Sequence, residues 1–492
     1  MGPSTSEYIF IRTCIAFLHW IAPLSVAYSF VNLYLRPNRS HGFSIQDILI
    51  AWALLEAVFY LVIFLPLRRH LQRPALHPEH ASREQRKQDF IQCMGSVPDL
   101  DEFLSKWFKN SPLSEIKREN IKEFLRWAFL SLDSVDEAYE DEVEEYVQLI
   151  EKTRQKEFEP GRGSARCIRL TFDKVELLHR SLFWYLCVWV VDCLTSLRLF
   201  YYGFSYHRLP LRRFFSVFPL RPHNLISPIK SPSDKLTYWH RPHHSKTDLP
   251  ILFIHGIGIG LYPYVDFLAE VNKEIKGKDG KSVGVIAVEI MSISFRLAGQ
   301  TLLKQEMCAE IDKILKAHQW DKCVLMSHSY GSVISTHLLY TPSIAKKIGP
   351  VLLIDPVTFL LHLPDVAYNF LHRKPTSSNE HRLSYFASND IGVAHTLSRR
   401  FFWKESIIWK EDFGHRLVTV VLCGQDLIVD TQHVGEYLSG TDDDSWKTQE
   451  FKGKSLDILW FEKLDHAEVF DQRATRTKLL RALHEYCGEQ VD

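Results

Sequence analysis

Between Thr13 and Leu35 the chain reads TCIAFLHWIAPLSVAYSFVNLYL without a formal charge, and from Ile48 to Leu67 a second run, ILIAWALLEAVFYLVIFLPL, is broken only by Glu56. A hydrocarbon layer about 30 Å thick offers no water to backbone amides and carbonyls, so runs of this length enter it only as helices. Joined by a short loop, the two runs predict a transmembrane helical hairpin over residues 1–70. A cleaved signal sequence fits less well, because no basic start precedes the first run and no small-x-small cleavage site follows it. Arg36 and Arg39 lie in the loop, whereas Arg68, Arg69, Arg73, Arg83, Arg86 and Lys87 follow the second run. The positive-inside rule therefore expects an integral membrane protein with the bilayer as partner and the bulk of the chain in the cytosol. No role is assigned to Glu56.

Beyond the hairpin, a chain of 492 residues has room for a domain of roughly 250 residues and additional units. Its 59 Lys and Arg balance its 59 Asp and Glu, so no global field draws a polyanion and no nucleic-acid partner is expected. Nine scattered cysteines without a CxxC pair argue against a disulfide framework and against a zinc site. Residues 71–180 read as an amphipathic helical region: IKRENIKEFLRWAFL places apolar residues at 121, 124, 125 and 128, and the acidic DEAYEDEVEEYVQLIEK follows. Residues 181–249 begin with SLFWYLCVWVVDCLTSL, about 25 Å long as a helix, and continue into an aromatic and basic stretch. That pattern predicts a helix at the membrane interface or packed on the next domain in preference to a third span, which would put the C-terminal half across the membrane from the basic cluster, and after it a proline-rich linker from Pro219 to Pro250.

After Pro250 short apolar runs alternate with helical periods, which predicts an α/β domain over residues 250–492 with a doubly wound, mostly parallel sheet. Strands are expected at 251–255, 283–290, 323–327, 351–355, 417–423 and 456–462. The third ends in Ser327-His328-Ser329-Tyr330-Gly331 before a helical stretch, a small-x-Ser-x-Gly string that fits a strand-turn-helix elbow presenting Ser329. His255-Gly256-Ile257-Gly258-Ile259-Gly260 closes the first strand, where glycines let backbone amides turn toward a developing oxyanion. Gly424-Gln425-Asp426 follows the fifth strand, and Leu464-Asp465-His466 follows the last.

A serine, then an acid, then a histidine in that order resembles the α/β-hydrolase family, over about half of the chain. The resemblance implies Ser329 as nucleophile, His466 as general base and then acid, and Asp426 as the residue that fixes its tautomer, with Asp430 and Asp355 as rival acids. It further implies an oxyanion hole from the amides of Ile257 and Tyr330, with Gly256, Gly258, Ser327 and Gly331 supporting the elbow and the oxyanion loop. Ser327 stands where glycine is usual, and Asp465 where glycine often precedes the histidine. The long stretch between strands, about 358–413, is expected to form a helical lid. The implied activity is hydrolysis of carboxylic esters, with lipid esters suggested by the membrane location, and no metal or other cofactor. The alternatives are acyl transfer to a lysolipid, for which the H-x4-D string from His466 to Asp471 is the one hint, and a catalytically silent membrane scaffold.

Overall fold

The computed structural model describes residues 5–35, 44–447, 450–453 and 455–489. Arg36 and Arg39, used above for orientation, lie outside the described residues.

Nine strands form one sheet: β1 (Ser205–His207), β2 (Thr237–Arg241), β3 (Ile251–Ile254), β4 (Val285–Glu289), β5 (Cys323–His328), β6 (Ile348–Ile354), β7 (Val418–Cys423), β8 (Glu450–Lys452) and β9 (Leu456–Phe461). Their order is β1-β2-β4-β3-β5-β6-β7-β9-β8. All six expected strands are present and run parallel, from β4 through β9. β2 pairs antiparallel to β4, β1 to β2, and β8 to β9. The central strands are buried on both sides, and their alternate residues feed two cores: Leu252, Leu325, Leu353 and Val420 on one face, Ile251, Val324, Leu352 and Val421 on the other. The crossing from β3 to β4 and from β3 to β5 in opposite directions puts a topological switch beside the carboxyl end of β5, where doubly wound sheets bind ligands.

Two expectations about domain boundaries need correction. The segment 181–249 contributes β1 and β2 to the sheet, so the sheet begins well before residue 250 and the proline-rich stretch is more than a linker. The helical region 71–180 has no core of its own: Phe90, Trp107, Phe124, Trp127 and Tyr146 share one apolar core with the elbow helix residues Val333 and Ile334 and the strands.

Thr5–Tyr34, Ile45–His70 and Leu182–Tyr201 are each long and apolar enough to cross a membrane. Glu56, in the second of these, is fully buried and accepts hydrogen bonds from the amides of Leu182 (2.9 Å) and Phe183 (3.2 Å), so it caps the start of the third. That third helix turns Tyr185, Val188, Asp192, Ser196 and Leu199 inward and leaves Leu186, Val190, Leu194 and Leu197 exposed. Its Asp192 is clamped by Arg221 (3.0 Å) and Arg296 (2.6 Å), and Arg221 also meets Glu289 (2.7 Å) at the end of β4. All four ionised groups are buried. The helix is therefore packed on the sheet domain through a charged cluster, with an apolar stripe facing away.

Candidate active site

β5 ends in a turn so tight that Ser329 adopts φ +51°, in the left-handed region that side chains avoid. The Ser329 amide donates to the Ile354 carbonyl (2.9 Å), and the helix Gly331–Leu339 starts at once. Crowding sets the sequence here. A Cβ on Gly331 would stand 2.4 Å from the Ile254 carbonyl oxygen, and one on Gly256 would stand 2.8 Å from the Ser329 Cβ. Gly258 is different, since nothing lies within 4 Å of the position its Cβ would take. Ser327 lies in the strand itself, fully buried, and its hydroxyl accepts from Ser335 (2.8 Å), about one turn into the helix. A serine is thus accommodated where glycine is usual, and the strain sits on Ser329.

Around this hydroxyl the chain ends of three strands converge. His466 Nε2 is 2.8 Å from Ser329 Oγ, and His466 Nδ1 is 2.7 Å from Asp426 Oδ2. The other oxygen of Asp426 accepts from the amides of Ile428 (2.7 Å) and Val429 (3.0 Å), which fixes the carboxylate's orientation. The rival acids are placed elsewhere. Asp430 caps the helix Thr431–Ser439 and binds His433 (2.8 Å). Asp355, fully buried after β6, accepts from the Ala467 amide (2.8 Å) and faces His328 Nε2 at 3.6 Å. Asp471 is exposed, and His466 Nδ1 is already taken by Asp426, so the H-x4-D string has no matching geometry.

Asp465, where glycine is common, accepts from the amides of His466 (2.7 Å) and Leu427 (3.1 Å) and so ties the loop carrying the histidine to the loop carrying Asp426. A second chain runs from the Gly256 amide to Tyr264 Oη (3.2 Å) and on to His328 Nδ1 (2.8 Å). It couples the glycine-containing loop after β3 to the elbow. His255 accepts from the Ile290 amide at Nε2 (3.0 Å) and contacts the Gly256 carbonyl through Nδ1 (2.7 Å), pinning the same loop to the end of β4.

Burial pushes the His466 imidazole down, but the charges of Asp426, Asp355 and Asp465 outweigh it and raise it to about 9. Burial likewise pushes the Asp355 carboxyl up, and His328, His466 and the Ala467 amide hold it below the usual carboxylate value. His328 is lowered, chiefly by burial, and stays neutral.

Ser329, Tyr330 and Ile257 open onto a cavity of about 330 Å³. The expected lid supplies much of its wall: the stretch between β6 and β7 folds into short helices and connecting turns, and its Leu361, Phe370, Leu397, Phe401 and Trp403 line the cavity. The opposite wall comes from the helical region, through Trp107, Trp127, Phe129 and Leu170, a contribution that no local sequence pattern announces. One lid helix, Ser378–Arg382, reaches both ways. Asn379 donates to Asp465 (3.1 Å), while His381 meets Tyr8 (rings 5.7 Å apart) and Arg12 (3.2 Å) on the apolar helix Thr5–Leu35.

No family model and no curated protein matches the chain. Among solved structures it is similar to a membrane phospholipase A described as a bacterial virulence factor (TM-score 0.38, 11% identity, 62% of this chain and 93% of that one). It is also similar to a carboxylesterase from Bacillus subtilis (0.36, 10%, 62% and 99%) and to a haloalkane dehalogenase from Agrobacterium tumefaciens (0.33, 12%, 51% and 92%). Likenesses this distant span several chemistries and decide none. With its sheet order, its antiparallel β2, the strand-turn-helix elbow after β5 and the helical insertion after β6, the chain has the α/β-hydrolase fold.

Proposed function

We propose that the protein is a membrane-anchored serine hydrolase that cleaves carboxylic esters of lipids through an acyl-enzyme. The observation that carries this reading is the continuous hydrogen-bonded line from Asp426 through His466 to Ser329 at the floor of an apolar cavity. With the Nδ1 proton held by Asp426, the Nε2 lone pair faces the serine hydroxyl and accepts its proton as Oγ attacks the ester carbonyl. Ile257 and Tyr330 line the same cavity as Ser329, and their amides are the donors assigned to the tetrahedral oxyanion. His466 then returns the proton to the leaving alcohol, and water repeats the sequence to free the acid. No metal or organic cofactor takes part in these steps.

A lipid is favoured because the lid helix that bonds Asp465, next to His466, also rests on the first membrane helix, so the loop carrying the histidine is held beside the bilayer. The apolar stripe on Leu182–Tyr201 continues that surface, and with the cationic cluster after the second membrane helix on the cytosolic side, the hydrolase domain is assigned to the cytosol. Acyl transfer to a lysolipid shares Ser329 and His466 but loses its one sequence hint, since Asp471 has no place beside the histidine. A silent scaffold gives no reason to hold Ser329 in a strained backbone conformation.

The test is hydrolysis by the full chain in lipid vesicles containing phospholipid or acylglycerol, with a soluble short-chain ester and an added lysolipid as comparisons. Free fatty acid from the vesicle lipid, absent in Ser329→Ala, is expected. Acyl chains appearing on the lysolipid in place of free acid would replace hydrolysis by transfer, and cleavage of the soluble ester alone would remove the lipid assignment.

A further inference from the structure

At the far edge of the sheet three histidines from distant parts of the sequence meet. The antiparallel register sets Ser205 opposite His240 and His207 opposite Tyr238, so His207 and His240 are diagonal neighbours on one face of the β1–β2 ribbon. The third, His318, sits at the carboxyl end of the helix Lys304–Ala317, which packs on that face. The rings of His240 and His318 are 4.0 Å apart, and His207 is 5.4 Å from the first and 5.3 Å from the second. One nitrogen from each ring lies within 4.8 Å of the others.

The decisive residue is His207. It is 7% exposed, and neither of its ring nitrogens has a hydrogen-bond partner. A buried imidazole left without partners forfeits hydrogen bonds that water would have supplied, a loss that something at the site must compensate. His318 is oriented for the same purpose: its Nε2 lies 2.8 Å from Tyr238 Oη, and an Nε2–H donated to that oxygen leaves the Nδ1 lone pair free. Metal-ligating histidines are held by their second nitrogen in this way.

We propose that His207, His240 and His318 form a binding site for a divalent transition metal of the zinc class, with solvent as the fourth ligand. Three imidazoles with no carboxylate or thiolate suit zinc or its neighbours and do not suit calcium or magnesium. The site lies at the opposite end of the strands from Ser329. His240 pairs near the amino end of β4, opposite Ile286, and His318 precedes β5, whereas the reactive serine follows the carboxyl end of β5. The metal is therefore a clasp joining the edge ribbon to the helix, and it takes no part in the ester chemistry. Cysteine spacing gave no hint of it, because the ligands are histidines brought together only by the fold.

The full chain, purified in detergent and stripped with a chelator, is titrated with Zn²⁺ alone and assayed for bound metal and for melting temperature. Wild type should hold one more equivalent than the variant in which all three histidines are Gln, and zinc should raise the melting temperature of wild type only. The single variants His240→Gln and His318→Gln, each removing one ligand at a half-buried position, should weaken that equivalent at least tenfold. Cobalt substitution should give the visible absorption of a tetrahedral site in wild type and none in the triple variant. Equal zinc uptake by wild type and by a cooperatively melting single variant, with no cobalt spectrum in wild type, would overturn the proposal.

Discussion

Replacing Asp426 by Asn keeps the shape of the side chain and reverses what it offers to His466. In the native protein one carboxylate oxygen is held by the amides of Ile428 and Val429, and the other meets His466 Nδ1 at 2.7 Å. In Asp426→Asn the amide oxygen must stay with those two backbone donors, which turns the side-chain NH2 toward Nδ1. The imidazole then carries its proton on Nε2, pointing at Ser329 Oγ only 2.8 Å away, and cannot take the serine proton. A wrong tautomer in such a triad lowers turnover about 10⁴-fold, equivalent to about 5.5 kcal/mol of transition-state stabilisation. Asp355→Asn makes the opposite case. Its carboxylate touches the Ala467 amide and not the His466 ring, so the tautomer survives and the loss is confined to the electrostatic lift on the imidazole. Second-order rates of inactivation by a fluorophosphonate, measured for both variants at several pH values, separate the two. We expect a loss of about 10⁴-fold for Asp426→Asn and less than about tenfold at the pH optimum for Asp355→Asn. An Asp426→Asn variant within tenfold of wild type, with Asp355→Asn inert, would assign the acid to the strand-β6 position and refute this reasoning.

The same electrostatics set the pH dependence. With His466 raised to about 9, the neutral base is scarce at pH 7, so the inactivation rate of the free enzyme should climb about tenfold per unit and level off near pH 9; a plateau reached by pH 7 would contradict it. A raised imidazole stabilises the fold while charged, fully below the unfolded value of about 6.5 and no longer above about 9, a contribution of about 3 kcal/mol. The melting-temperature gap between wild type and His466→Gln should accordingly close as pH rises across that window. Ser329→Gly should abolish labelling yet stabilise the protein by about 1 kcal/mol, by relieving the left-handed backbone at the elbow; an unchanged or lower melting temperature would count against strain there. Arg221→Ala strips Asp192 and Glu289 of their shared partner in a buried cluster, and a loss of about 3–5 kcal/mol of stability is expected in denaturant unfolding.

What could be read from the sequence was whatever the chain encodes locally. The six parallel strands are runs of β-branched and aliphatic residues, and the elbow, the oxyanion loop and the histidine loop each follow one of them within a few residues. The edge strands escaped notice because SYH and TYWHR are short, polar and set among prolines, and they become strands only by pairing with β4. Choosing among Asp355, Asp426 and Asp430 needed coordinates as well: all three follow or flank strands, and only the hydrogen bonds show that one faces the imidazole, one a backbone amide and one a helix end. Ser327 stands where glycine is usual, and only the fold brings Ser335, eight residues on, to its hydroxyl. The helical region disclosed no chemistry because its contribution is a wall of Trp107, Trp127 and Phe129 over a serine some two hundred residues away.

The most direct test of the central claim is fluorophosphonate labelling of the detergent-solubilised full chain, followed by mass spectrometry of the labelled peptide. The account predicts a single adduct on Ser329, lost in Ser329→Ala and in His466→Ala. A folded wild-type protein that takes no label, or an adduct on another residue that persists in Ser329→Ala, would contradict it.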